Sequence, residues 1–327
     1  MAAELVDSFG RVHRDLRISV TDRCNFRCTY CMPAEGMAWL PRSEVLSFEE
    51  IHRVARVLVE RFGIESIRLT GGEPTVRAHL PRLIEMLAGL GVEVALTTNG
   101  ATLRLLAADL AAAGLGRINI SIDSLRRDRF ADITKRDSLD KVLDGIDAAI
   151  EAGLSPVKLN VVAMRGVNED ELIDFATFGR DKGVIVRFIE FMPLDAQQAW
   201  TNEQVLSYDE IRHRIDAVYP LEPLARTSAP AERFRYLDGK GEIGIIASVT
   251  QAFCDTCDRV RLTAEGAFRT CLFATSEHDL RALLRGGATD DRLADVLAEA
   301  VRGKWAGHQI NQVHFIRPSK SMSQIGG

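Results

Sequence analysis

Long apolar runs are missing from this chain. Residues 1–10 carry acids and no hydrophobic stretch, and nothing later is long and apolar enough for a spanning helix, which argues against secretion and membrane insertion. A basic excess is missing too: 41 Lys and Arg are outnumbered by 46 Asp and Glu. The resulting charge of −5 argues against general nucleic-acid binding, which needs a basic surface. Low-complexity tracts are absent, so the 327 residues, 46% hydrophobic and 27% charged, read as one sizeable globular domain with an appendage. Cysteine is scarce and none is left over. Cys24, Cys28 and Cys31 form one triplet, and Cys254, Cys257 and Cys271 form another. Without a secretory signal, disulfides are not the expected use of these thiols, and the reducing cytoplasm is the expected location.

Between residues 16 and 217, short β-branched runs alternate with longer amphipathic ones, the pattern of repeated βα units. Strands are expected at 17–20, 67–70, 92–97, 117–122, 157–162 and 184–189. The clearest helix is expected over 48–62, with Ile51, Val54, Leu58 and Phe62 on one face and Ser47 and Glu50 as a capping box. Asn168 with Glu171, and Ser207 with Glu210, repeat that start signal. Right-handed crossovers then give a parallel sheet, open or curled, with its active site at the C-terminal strand ends. After Pro220 the segments shorten and glycine punctuates them. A linker at 221–231 leads to a small antiparallel sheet from 233–237, 242–247, 260–263 and 267–271, then to helices near 280–284 and 293–301. This appendage either holds a separate metal site or folds back over the open rim.

Three thiolates on the loop Cys24-Asn-Phe-Arg-Cys28-Thr-Tyr-Cys31 suit three corners of a cubane iron–sulfur cluster, leaving the fourth iron open to a reactant. Zinc is the alternative. It closes a four-ligand shell, however, and no His lies within residues 24–31 or between Cys254 and Cys271. Gly71-Gly72-Glu73-Pro74 follows the second expected strand, where glycine lets the backbone approach a ligand that a side chain would obstruct; a plain turn is the other reading. Arg17, Arg68, Lys158 and Arg187 sit on expected strands, and Arg259 and Arg261 flank the second triplet. A lone strand Arg is ordinarily a surface or ion-paired residue. Six cations inside a net acidic chain point instead to a focused anion site, for which the planar guanidinium fork is suited.

At the Cx3Cx2C loop, framed by Asp22-Arg23 and Met32-Pro33, and at the GGEP motif, the chain resembles the radical S-adenosylmethionine enzymes. The resemblance implies a partial (β/α)6 TIM-like barrel over 1–220, with a C-terminal region over 221–327 that closes the barrel mouth. It implies that the open iron of the first cluster chelates S-adenosylmethionine, with Tyr30 beside the adenine, Gly72 against the cofactor, Ser121 at the ribose and Met192 on the adenine side. The run Phe253-Cys254-Asp-Thr-Cys257-Asp-Arg259-Val-Arg261-Leu, followed by Arg269-Thr-Cys271-Leu-Phe273, is similar to the substrate-cluster motif of the GTP 3′,8-cyclases. That likeness extends from Arg17 to Gly326-Gly327. It implies two 4Fe-4S clusters and S-adenosylmethionine as cofactors, and GTP as substrate. The implied GTP contacts are Arg17, Arg68, Thr97, Lys158, Arg187, Arg259 and Arg261, with the terminal Gly326 and Gly327 threaded into the site.

In the implied reaction a 5′-deoxyadenosyl radical takes hydrogen from C3′ of GTP, and the sugar radical closes onto C8 of the guanine. The product is 3′,8-cyclo-7,8-dihydro-GTP, and the step is the first in molybdenum cofactor biosynthesis. Implied partners are an electron donor and, by metabolic link, the downstream cyclic pyranopterin monophosphate synthase, with a homodimer left open as the assembly. Two positions depart from the family pattern: Ser66 stands where Lys is common, and Asp258 where Asn is common. Two other readings are a radical enzyme acting on a peptide or another small molecule, and a zinc-stabilised binding module.

Overall fold

The structure, a computed structural model, describes residues 3–33, 36–195, 199–310, 312 and 315–326. Six parallel strands lie in chain order: β1 (Asp15–Ser19), β2 (Ser66–Thr70), β3 (Glu93–Thr98), β4 (Arg117–Ser121), β5 (Val157–Ala163) and β6 (Ile185–Glu190). The connections carry α1 (Phe48–Phe62), α2 (Leu80–Ala88), α3 (Leu103–Ala112), α4 (Arg127–Thr134), α5 (Leu139–Glu151) and α6 (Leu172–Lys182), and α7 (Tyr208–Asp216) follows β6. This is the expected α/β partial barrel. Its strand boundaries fall within two residues of those read from the sequence.

Strand geometry sorts the side chains. Successive residues point to opposite faces, so Leu16 and Ile18 of β1, Ile67 and Leu69 of β2, and Ile118 and Ile120 of β4 pack fully buried under the helices. The alternate residues, Arg17, Arg68, Asn119 and Ser121 among them, face the lumen. A barrel interior is normally filled by branched apolar residues; a polar, cationic lining leaves room for a ligand. α1 buries Ile51, Val54 and Leu58, while Phe62 at its C-terminal end is only half-buried. Ser47 and Glu50 form the expected box, and Gly63 ends the helix at φ 69°, a left-handed conformation that suits glycine.

Two expectations change. The antiparallel strands after Pro220 do not make a separate sheet. They are β7 (Leu221–Pro223), β8 (Glu232–Tyr236), β9 (Glu242–Ile246), β10 (Arg259–Leu262), β11 (Ala267–Arg269) and β12 (His278–Asp279), and they extend the barrel sheet at both edges. β9 pairs parallel with β6, and β10 pairs parallel with β1. Antiparallel pairs then add outside them, β8 and β7 on one edge and β11 and β12 on the other. Unpaired edge amides of β1 and β6 are satisfied this way.

Secondly, Asn168 and Glu171 cap no helix. The Asn168 amide turns inward, accepting from Met164 N (2.8 Å) and donating to Asp123 O (2.8 Å) and Val162 O (2.9 Å). Glu171 is buried and accepts from Ser124 Oγ and Leu125 N, each at 2.7 Å. These contacts satisfy buried backbone groups beyond β4 and β5, which outweighs a cap. The second cysteine triplet lies toward the N-terminal strand ends, as shown below. The chain finishes with α8 (Leu280–Arg285), α9 (Asp290–Arg302), which packs on α1, and a short α10 (Met322–Ile325).

Candidate active site

The first triplet leaves β1 at its C-terminal end, where two loops are sewn together. Gly72 N donates to Thr21 O and Glu73 N to Arg23 O, both at 2.7 Å. A Cβ on Gly72 would stand 2.4 Å from the carbonyl oxygens of Asp22 and Arg23, so the glycine is required by backbone packing against the cysteine loop. Glu73 is buried and accepts from Thr75 N and Oγ1, Thr98 Oγ1 and Asn99 N, fastening the β2 loop to the β3 loop. Burial, then mutual repulsion, pushes the Cys28 thiol up and that of Cys31 up to about 12; Cys24 rises to about 11. Three sulfurs crowded in a dry loop ask for the positive charge that iron supplies.

Tyr30 donates its hydroxyl to Asp123 Oδ2 at 2.6 Å, and Asp123 Oδ1 accepts Val162 N at 2.8 Å. The Tyr30 ring meets Phe191 edge-on. Ser121 lies two residues before Asp123, on the lumen side of β4. Met192 packs apart from Tyr30, in a cluster with Cys271 and Met322, although Trp200 touches both groups.

The lumen holds the cations. Arg17 is level with Arg68 on one side and Arg261 on the other, and Arg259 is level with Asp15. Thr97, Asn119 and Lys158 stand side by side across β3, β4 and β5. Arg17 Nε and Arg68 Nε are buried without a hydrogen-bond partner among the described residues, and Arg17 has only Asp15 nearby at 3.7 Å. Burial and the neighbouring guanidinium of Arg261 destabilise the Arg17 charge; burial, then Arg187, pushes Lys158 down to about 8. Arg187 is held by neutral amides, Asn160 Oδ1 at 2.6 Å and Asn119 Oδ1 at 2.7 Å, which orient it without cancelling its charge. So many under-compensated cations in one dry space fit a polyanion.

The second triplet lies at the other end of this lumen. Cys254 and Cys257 precede β10, which runs parallel to β1, and Cys271 follows the antiparallel β11, so all three gather near the N-terminal strand ends. Arg11 secures the loop, donating to Cys254 O, Ala306 O and Trp305 O. A Cβ on Gly307 would stand 3.2 Å from Cys254 Sγ, so the chain closes tightly over that sulfur. Burial raises Cys254, whereas Cys257 falls to about 7 because Arg259 and Lys304 outweigh its burial. His308 sends its backbone N–H toward Cys254, yet among the described residues no three His, Cys, Asp or Glu converge on a single-ion position. Three thiolates suit a cubane, whose corner irons each take one.

The tail reaches the mouth. α10 starts at a Ser321 capping box, Ser323 hydrogen-bonds toward Cys31, and Gly326 O accepts from Arg261 Nη1 at 2.5 Å. Gly326 has φ 87°, and a Cβ there would lie 2.5 Å from Thr70 Oγ1 and 2.9 Å from Ser19 Cβ. Gly327 lies outside the described residues. The departures are mild: Ser66 Oγ faces Asp15 Oδ2 at 3.4 Å, and Asp258 uses its carbonyl to accept Arg14 N and Asp15 N. Sequence reasoning missed Asp123, Asn119, Asn160, Arg11 and Lys304. The two asparagines were findable by lumen parity; Arg11 and Lys304 carry no local signal.

Residues 18–179 match the Radical SAM superfamily model, and residues 184–310 match Molybdenum Cofactor Synthesis C. The GTP 3′,8-cyclase of Rhodopirellula baltica is 50% identical over 99% of this chain and 92% of its own length. That of Streptomyces coelicolor is 47% identical over 99% and 96%, and GTP 3′,8-cyclase 2 of Mycobacterium tuberculosis 47% over 99% and 92%. Among solved structures, Streptococcus suis SuiB bound to S-adenosylmethionine superposes with a TM-score of 0.61 at 12% identity, over 94% of this chain and 77% of that one. anSMEcpe with bound AdoMet gives 0.57 at 15% identity, over 94% and 93%. At such identities these two show the fold.

Proposed function

This chain belongs to the GTP 3′,8-cyclases of the radical S-adenosylmethionine superfamily, and we propose that its reaction runs in the lumen between the two cysteine triplets. The enzyme is a lyase that converts GTP to 3′,8-cyclo-7,8-dihydro-GTP, the first step of molybdenum cofactor biosynthesis, using two 4Fe-4S clusters and S-adenosylmethionine. The observation that carries the site assignment is the cation-lined lumen with three thiols at each end. When bound, the first cluster and the sulfonium supply an electron and a hydrogen-abstracting carbon radical.

The chain's own residues do the rest. Cys24, Cys28 and Cys31 hold the first cluster; Tyr30, fixed by Asp123, with Gly72, Ser121 and Met192, orients the sulfonium. Arg17, Arg68, Lys158 and Arg187 bind phosphates, with Thr97 beside them. Cys254, Cys257 and Cys271 hold the second cluster near the base, flanked by Arg259 and Arg261, while Gly326 and Gly327 fill the space beside Arg261. Water is excluded by the tail and the tightly packed loops. The division at 220 is functional in this reading: residues 1–220 carry the sulfonium machinery, and 221–327 the substrate cluster. An electron donor, the downstream synthase, a cytoplasmic setting and a homodimer complete the proposal; among the described residues no helix is long and apolar enough to cross a membrane.

The test is anaerobic. Protein with reductant should consume S-adenosylmethionine and form the cyclised nucleotide only when GTP is present. Consumption with GTP but without cyclisation would point to a different substrate, and zinc in place of iron and sulfide would end the radical reading.

A further inference from the structure

Lys304 is 3% exposed, and its ammonium has three hydrogens to place. The fold provides three acceptors: His13 Nε2 at 2.7 Å, Arg259 O at 2.9 Å and Cys257 Sγ at 3.5 Å. His13 Nδ1 faces Leu5 O at 3.2 Å, so this nitrogen carries the ring proton and Nε2 accepts from Lys304. The imidazole and the carbonyl are neutral. The carboxylate beside His13, Asp7, is already bound to Arg11 Nε at 2.6 Å and stands 3.7 Å from the His13 ring. A buried cation needs a counter-charge. Among the described residues the only anionic group in contact with this one is the sulfur of Cys257.

We infer that Lys304, alongside Arg259, is a counter-cation of the second cluster, a positioning residue that donates to the Cys257 thiolate and helps set the redox poise of the metal site. The inference rests on the reading of Cys254, Cys257 and Cys271 as a cluster site. Hydrogen bonds to cluster sulfurs and nearby charge are what tune such potentials. A fixed cation favours the reduced, more negative state, so removing it lowers the potential.

Potentiometric titration by electron paramagnetic resonance reads this directly. It uses the full chain with Cys24, Cys28 and Cys31 replaced by Ala, so that the signal comes from the second site alone. Lys304→Met should lower the reduced-to-oxidised ratio at the parent midpoint about tenfold, a downward shift of about 59 mV for one electron. Lys304→Arg should restore the parent value. His13→Phe removes a neutral acceptor and keeps the charge, so it should destabilise the fold without moving the midpoint. An unmoved midpoint in Lys304→Met would make Lys304 a packing anchor and overturn the inference. If Lys304→Met holds no second cluster, Lys304→Arg decides: iron retained there supports the need for charge, and iron lost there overturns it. Parent protein without iron at this triplet would sink the underlying reading instead.

Discussion

Arg259 and Arg261 occupy the same lumen face of one strand but have different neighbours. Arg259 stacks on Phe253 and supports Cys257, whereas Arg261 reaches Gly326 O. Neither is a cluster ligand, so Arg259→Ala and Arg261→Ala should each weaken GTP binding by about 1.5–3 kcal/mol, the worth of a hydrogen bond to a charged group, with iron content kept. Calorimetric titration checks it; unchanged curves would remove both from the substrate site. Lys158 supplies a pH signature. Its ammonium sits near 8 through burial and repulsion from Arg187, Arg117 and Arg68. Phosphate favours the charged form and raises that value, so binding takes up a proton above pH 8. GTP affinity should therefore be full below pH 8 and fall above it, by up to about tenfold per unit. Lys158→Arg should flatten the profile between pH 7 and 9.5, and a flat parent curve would exclude Lys158 from the phosphates.

At the scale of elements, the site depends on loops that touch through backbone. Gly72→Ala places a methyl against two carbonyl oxygens that have no flexible end to move, so the β1 and β2 loops must separate. The first cluster should then be lost while the second stays, as iron counting and spectra of the variant would reveal. The tail behaves differently, because α10 sits on the mouth rather than in the sheet. Deleting Gly326 and Gly327 should spare folding, cluster content and sulfonium binding, yet strongly reduce cyclised product in anaerobic single turnover. Wild-type yield from the shortened chain would return the tail to a plain terminus. Ser47→Ala, by contrast, removes only the α1 cap and should cost about 1 kcal/mol in urea unfolding with activity unaltered.

For the whole molecule, the parallel pairing of β10 with β1 and β9 with β6 makes the C-terminal region part of the barrel sheet, so the two triplets face each other through one lumen. Replacing Cys24, Cys28 and Cys31 by Ala should abolish sulfonium cleavage. Replacing the second triplet should leave sulfonium binding intact and remove cyclisation, and 5′-deoxyadenosine from the first variant would reverse the assignment. Much of this was legible locally. Cysteine spacing, the Gly-Gly turn and the 3.6 and 2 periodicities are short-range signals, and they located both triplets, the six strands and α1. Lumen parity follows from strand position, so the cations could be named before their directions were known. Long-range pairing could not be read in that way. Whether 259–262 pairs with its own neighbours or with β1 depends on which edge amides are left unsatisfied, and that is settled only when the sheet closes. The same holds for Arg11, His13 and Lys304, whose partners lie hundreds of residues away along the chain. Desolvation of a charge is a property of the assembled interior, which is why the support beneath the second triplet appears in the fold and in no motif.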